Sequence, residues 1–188
     1  MAGVSLETVV PEAPLERSEH GLAPVGEGWF VLNARDAQWF DGGELGGLYA
    51  SFEGESRFAQ LGFGIGVSRP GVANALYHAE DAQENFLVLA GECLLLIEGE
   101  ERRLKAWDFV HLPPWTEHIF VGLEEPCLVV AVGARRPGRG VRFPVSELAL
   151  RHNAGVRQET SDSRDAYAGC SEPTPIECPP EFDALTES

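Results

Sequence analysis

ENFLVLAGECLLLIEGEERRLK, residues 84–105, packs apolar runs between short glycine-bearing breaks at Gly91 and Gly99. The runs are rich in Leu, Val, Ile and Phe, too short for helices, and show no 3.6-residue period. They read as β-strands. IEGEER, residues 97–102, is a hairpin turn in which Gly99 supplies the positive φ that a tight turn demands. The same pattern extends both ways along the chain. WFVLN (29–33), LYASF (48–52), LGFGIGVS (61–68) and ALYHAE (75–80) precede it; RRLKAWDFVHLP (102–113), HIFVG (118–122) and CLVVAVGA (127–134) follow. Gly-Gly, Arg-Pro-Gly and Glu-Glu-Pro separate them. Many short strands with such punctuation predict an all-β sandwich or barrel over residues 27–143.

Flanking that region, residues 1–26 read as an N-terminal arm and 144–188 as a C-terminal extension. FPVSELALRHNAG (143–155) offers one short helical turn at Glu147–Arg151. From Glu159 onward there are eight acidic residues, one basic residue (Arg164) and four prolines. Such a composition buries too little apolar surface to offset chain entropy, so disorder is expected from about residue 160.

Composition narrows the function classes. With 14 basic against 30 acidic residues the net charge is −16, which repels nucleic acid and anionic membranes and argues against both as partners. No run approaches the roughly 18 apolar residues of a membrane helix. The first 21 residues show neither the basic start nor the apolar core of a secretory signal, so a cytoplasmic protein is expected. The four cysteines form no disulfide framework: Cys93 and Cys127 sit in apolar strand contexts as small hydrophobes, Cys170 and Cys178 in the polar tail. The N-terminal arm and open sheet edges together suggest a homodimer.

Charge gathers at one strand mouth. YHAEDAQE, residues 77–84, places His78 and Glu80 two apart on one strand face and Glu84 at the start of the next strand. His118 opens HIFVG after the rigid turn PPWTE. A carboxylate turned into a barrel costs several kcal/mol, roughly, unless paired or metal-bound, and a solvated turn is the alternative.

These residues resemble the two motifs of the cupin superfamily, of the small conserved-barrel type. The first motif runs Gly, His-x-His, Glu, Gly, and Gly71, His78, Glu80, Glu84 and Gly91 occupy those places with one extra residue after the first glycine. The second runs Gly-Asp, Pro-x-Gly, His, Asn, and Trp107, Asp108, Pro113, Trp115, His118 and Gly122 stand in register. The resemblance covers roughly residues 60–133 and implies a double-stranded β-helix, or jelly-roll barrel. It further implies that His78, Glu80, Glu84 and His118 ligate a divalent metal. Glu80 replaces the second motif histidine, Trp115 the turn glycine and Gly122 the final asparagine. Two carboxylates and two imidazoles suit Mn²⁺, Fe²⁺ or Zn²⁺ better than Cu⁺. No catalytic residue is assigned, although Glu80 or Glu84 is placed to act as a base. Two functions follow: a metal-dependent oxygenase or isomerase acting on a small organic molecule, or a binding or sensing module without turnover.

The other polar candidates read as structural. His111 is a rim histidine, Asp108 serves its turn, Glu92 and Glu98 are solvated, and His20 and His152 lie in the extensions. Trp29, Trp39, Trp107 and Trp115 read as core or interface aromatics, with Trp115 near the pocket mouth. GFGIG lacks the following helix that a phosphate loop needs.

Overall fold

The computed structural model describes residues 9–55 and 57–187. Fourteen strands and three short helices succeed one another among the described residues. In chain order the strands are β1 (Leu15–Ser18), β2 (Gly21–Pro24), β3 (Gln38–Asp41), β4 (Leu48–Ser51), β5 (Leu61–Ser68), β6 (Ala79–Glu80) and β7 (Glu84–Ala90). Then come β8 (Glu92–Ile97), β9 (Glu100–Lys105), β10 (Phe109–Leu112), β11 (His118–Gly122), β12 (Cys127–Ala134) and β13 (Val141–Arg142). Helices α1 (Glu147–Arg151) and α2 (Ser163–Ala166), strand β14 (Thr174–Ile176) and helix α3 (Pro180–Thr186) complete the chain. A seven-stranded sheet, β10-β7-β12-β5-β4-β3-β14, faces a three-stranded sheet, β11-β8-β9. Isolated bridges, Ala73 to Val121 and His78 to His118, lay residues 73–78 along the edge of the smaller sheet. The result is the β-sandwich that the strand pattern predicts. No helix among the described residues is long and apolar enough to cross a membrane.

The period-2 alternation of the strands decides what lies between the sheets. Phe86 and Val88 of β7 meet Leu95 of β8, Val110 and Leu112 of β10 and Phe120 of β11 in one buried cluster that includes both Cys93 and Cys127. The side-chain contact with Cys127, together with burial, holds the Cys93 thiol far above its ordinary range, consistent with a packed hydrophobe. Outside the smaller sheet, Tyr77, Leu96, Ile119 and Val121 pack under Leu148 and Ala149 of α1. That helix starts where expected, with the Ser146 side chain accepting from the Ala149 N–H. The β8–β9 hairpin turns on Glu98 (φ 49°) and Gly99 (φ 77°), the left-handed pair of a two-residue turn.

Strand β5 is built differently. Gly62, Gly64 and Gly66 pair with Gly133, Ala131 and Val129 of β12, and those positions pair in turn with Glu84, Phe86 and Val88. All three glycines therefore face inward, on the side of Phe86 and Val88. A Cβ on Gly64 would meet nothing within 4 Å. The stretch that sequence reading rejects as a phosphate loop instead leaves this part of the inner face bare.

Three expectations need correction. WFVLN is not a strand: only Trp29 bridges, to Glu12, and Val31 is 80% exposed. The strand is QWFD, which begins nine residues later and whose polar ends hid it. The arm, described from residue 9, is the hairpin β1–β2, with Ala13 buried. Finally, the acidic tail is docked. Strand β14 pairs with β3, and Phe182 of α3 is 5% exposed with its ring 5.0 Å from that of Trp39. Tyr167 stacks edge-on against Phe143 at 5.8 Å. These anchors are too widely spaced to register as a periodic pattern, yet Phe182 covers apolar surface on the outer sheet face and Tyr167 covers Phe143 and Leu76.

Candidate metal centre

His78 stands just before β6, Glu84 opens β7 and His118 opens β11. The bridge between His78 and His118, made by backbone hydrogen bonds in both directions (3.2 and 2.9 Å), fixes the two histidines side by side with ring centres 5.0 Å apart. One ligand atom each from His78, Glu84 and His118 lies within 4.8 Å of the others, and Glu84 Oε2 is 3.4 Å from His118 Nε2.

The tautomers follow from the hydrogen bonds. His78 Nδ1 lies 2.7 Å from the Leu76 carbonyl and His118 Nδ1 lies 3.0 Å from that of Thr116. A carbonyl only accepts, so each Nδ1 carries the proton and donates it. Each Nε2 is then left with its lone pair free, as a ring that ligates a metal requires. Electrostatics agree. Burial lowers the His118 pKa to about 4, helped by the neighbouring His78, and burial likewise lowers His78. Burial raises Glu84 to about 7, with the Glu80 charge adding to it. At neutral pH both imidazoles are in the ligand form, and the carboxyl is poised to lose its proton to an incoming cation. The residues present thus fit a divalent ion of the borderline, N/O-binding kind.

Glu80, the fourth residue that the motif resemblance assigns to the metal, is not part of the convergent trio, although it lines the same cavity as His78. Its Oε2 is 2.8 Å from Nη1 of Arg139. Arg139 belongs to RRPGRGVR, residues 135–142, which sequence reading passed over. Arg135 pairs with Glu53, Arg136 with Asp81, Arg139 with Glu80 and Arg142 with Glu117. The signal was available: four of the chain's 14 basic residues fall within eight positions of a strongly acidic protein. Much of the charge at the strand mouth is therefore neither solvated nor directed at a metal. It is tied down by one arginine-rich segment.

A cavity of about 440 Å³ opens beside the trio, lined by His78, Glu80, Arg139, Phe143, Ser163 and Tyr167 among others. A second of about 440 Å³ lies over the glycine face of β5, between Tyr49, Asn74, Ala131 and the tail; Ala75 and Tyr167 line both. The tail thus supplies walls of the site region. The Tyr167 hydroxyl accepts from the Leu76 N–H, which leaves its own proton free to donate.

The remaining candidates take structural places. Asp108 accepts from the Lys105 N–H inside its turn, and the exposed His111 bonds Asn85. Glu92 pairs with Arg103, Glu98 accepts from the Glu117 N–H, His152 meets Glu101 and His20 meets Glu19. Trp107 (φ 75°) and Trp115 (φ 69°), which stand where the motif has glycine, adopt the left-handed backbone that glycine favours. The Trp115 ring lies against Gly140 of the arginine segment.

Two facing sheets, a His/Glu/His cluster at the strand mouth and both spaced motifs fit the cupin pattern. Residues 67–133 match the family model described as cupin domain, which supports a cupin superfamily protein. No curated protein sequence matches the chain. Among solved structures it is similar to the polyketide cyclase RemF from Streptomyces resistomycificus, with 13% identity, covering 84% of this chain and 98% of that one at a TM-score of 0.52. A Cupin 2 conserved barrel domain protein from Salinispora arenicola is 27% identical over 43% of this chain and 67% of its own, with a TM-score of 0.38. A sugar phosphate isomerase of the cupin superfamily from Silicibacter pomeroyi is 24% identical over 45% of this chain, with a TM-score of 0.43. The chain spans 56% of that isomerase's length.

Proposed function

We propose that this cupin is a metal-dependent enzyme acting on a small organic molecule held at the barrel mouth, with His78, Glu84 and His118 as the metal ligands. The observation that carries this is the convergence of two Nε2 lone pairs and one half-buried carboxylate beside a cavity of about 440 Å³. Three protein donors are one fewer than the four that close a structural zinc site, which favours catalysis over a purely architectural ion. A divalent cation bound there supplies Lewis acidity toward a substrate oxygen.

The chain's own residues then divide the remaining work. Glu80 lines the cavity outside the ligand trio and is placed to accept or return a proton. Phe143 and Tyr167 wall off the cavity, and the Tyr167 hydroxyl holds a proton to donate. This arrangement favours proton-transfer chemistry of the isomerase kind. A two-His, one-carboxylate set also suits oxygen-activating ferrous sites, so the donor set itself favours an oxygenase as the second reading. Metal-loaded and chelator-treated protein, incubated in deuterium oxide with a panel of small hydroxycarbonyl compounds, separates the two. Metal-dependent deuterium incorporation, lost in Glu80→Gln and without oxygen uptake, is expected. Oxygen consumption without exchange would overturn the proton-transfer reading.

A further inference from the structure

The four ion pairs of residues 135–142 are not equivalent. Arg135 donates to both Glu53 oxygens at 2.6 and 2.9 Å and to the Phe58 carbonyl at 2.8 Å. Arg136 donates to Asp81 Oδ1 and to its carbonyl, and Arg142 donates to Glu117 Oε1 at 2.5 Å. Each of these three guanidiniums is engaged by aligned hydrogen bonds. Arg139 is the exception. It approaches Glu80 to 2.8 Å without hydrogen-bond alignment, so the buried Glu80 Oε2 has no hydrogen bond at all. The guanidinium keeps its donors for something else, and its side chain remains 42% exposed on the cavity that also exposes His78.

A planar guanidinium with unspent donors is the group best shaped for a carboxylate or phosphate, which it grips through two parallel bonds. The surrounding protein carries a net charge of −16, so an anion reaching this mouth needs a local positive partner. We infer that Arg139 is the specificity determinant of the site: it recognises the oxyanion of a small anionic substrate, which displaces Glu80 and frees that carboxylate within the cavity. The inference rests on the proposed catalytic reading for the purpose of the cavity, and it names the substrate class as a small organic acid or phosphate ester. Ser163 and Tyr167, both lining the cavity, add hydroxyl donors beside the same guanidinium.

Anion binding is measured by calorimetric titration of inorganic phosphate and, separately, malonate into the full chain, both chelator-treated and metal-loaded. Wild type is expected to bind one or both, with the stronger of the two identifying the anion. Arg139→Ala should weaken that binding at least tenfold, Arg139→Lys less, and Glu80→Gln should strengthen it severalfold because the internal competitor is gone. Arg136→Ala, whose guanidinium is committed to Asp81, should leave it unchanged. Circular dichroism melting of each variant checks that the fold persists. Unchanged affinity in Arg139→Ala, or weaker binding in Glu80→Gln, overturns the inference. Titrating Zn²⁺ into the same variants keeps the two proposals apart. Metal binding without an Arg139-dependent anion leaves the enzyme reading standing alone. Anion binding without any metal site leaves only the Arg139 assignment.

Discussion

Phe182→Ala tests whether the acidic C-terminal segment is part of the fold. The side chain is 5% exposed, tilted 54° against Trp39 with ring centres 5.0 Å apart, in a cluster with Leu48, Ala50, Val67 and Leu128. Truncating a buried Phe to Ala costs about 3–5 kcal/mol, and this one lies under a single short helix that can partly collapse, so about 3 kcal/mol is the reasonable figure. The other ties of α3, from Arg35 to Asp183, Glu187 and Thr186, are exposed and screened by solvent. Packing therefore dominates. For a chain of this size each kcal/mol moves Tm by about 2–4 °C, which predicts a fall of about 6–12 °C by scanning calorimetry. Arg35→Gln should move Tm far less. A Phe182→Ala protein melting within about 1 °C of wild type would refute the docking of α3 and restore a free tail.

Trp107 is 75% exposed with φ 75°, so Trp107→Gly should relieve left-handed strain and raise Tm by about 1–4 °C, from roughly 0.5–1 kcal/mol net; a fall would mean the indole packs usefully. Gly64→Ala should also raise Tm by about 1–4 °C, because its Cβ enters open space and the unfolded chain loses freedom; a lowered Tm would show that the inner face of β5 is already filled. Proton release on Zn²⁺ binding, measured calorimetrically in buffers of different ionisation enthalpy, should track Glu84. With its pKa near 7, about 0.9 proton should leave Glu84 at pH 6 and about 0.1 at pH 8, while His118, already neutral, releases almost none. Equal release at both pH values would contradict the raised carboxyl.

The sandwich was legible because β5 and β7–β12 announce themselves locally: each is an apolar or alternating run ended by Gly, Pro or charge. His78, Glu84 and His118 were legible through the resemblance of their two motifs to the cupin pattern. What escaped depends on partners distant in sequence. QWFD buries Trp39 only because Phe182 covers it, some 140 residues on, and neither segment is amphipathic by itself. The arginines of 135–142 find carboxylates at Glu53, Asp81, Glu80 and Glu117, pairings that no local pattern encodes. Glu80 shows the consequence most clearly: its strand parity points it inward with His78, and an arginine some sixty residues away decides what it faces.

The central claim is that His78, Glu84 and His118 hold a divalent metal. Calorimetric titration of Mn²⁺, Fe²⁺ and Zn²⁺ into chelator-treated protein, with His78→Ala, Glu84→Ala and His118→Ala in parallel, tests it most directly. One equivalent should bind wild type well below millimolar, all three variants should lose that binding, and Glu80→Gln should keep it. Wild-type affinity no tighter than about 1 mM, near −4 kcal/mol, or a His118→Ala protein that binds as wild type does, would contradict the account.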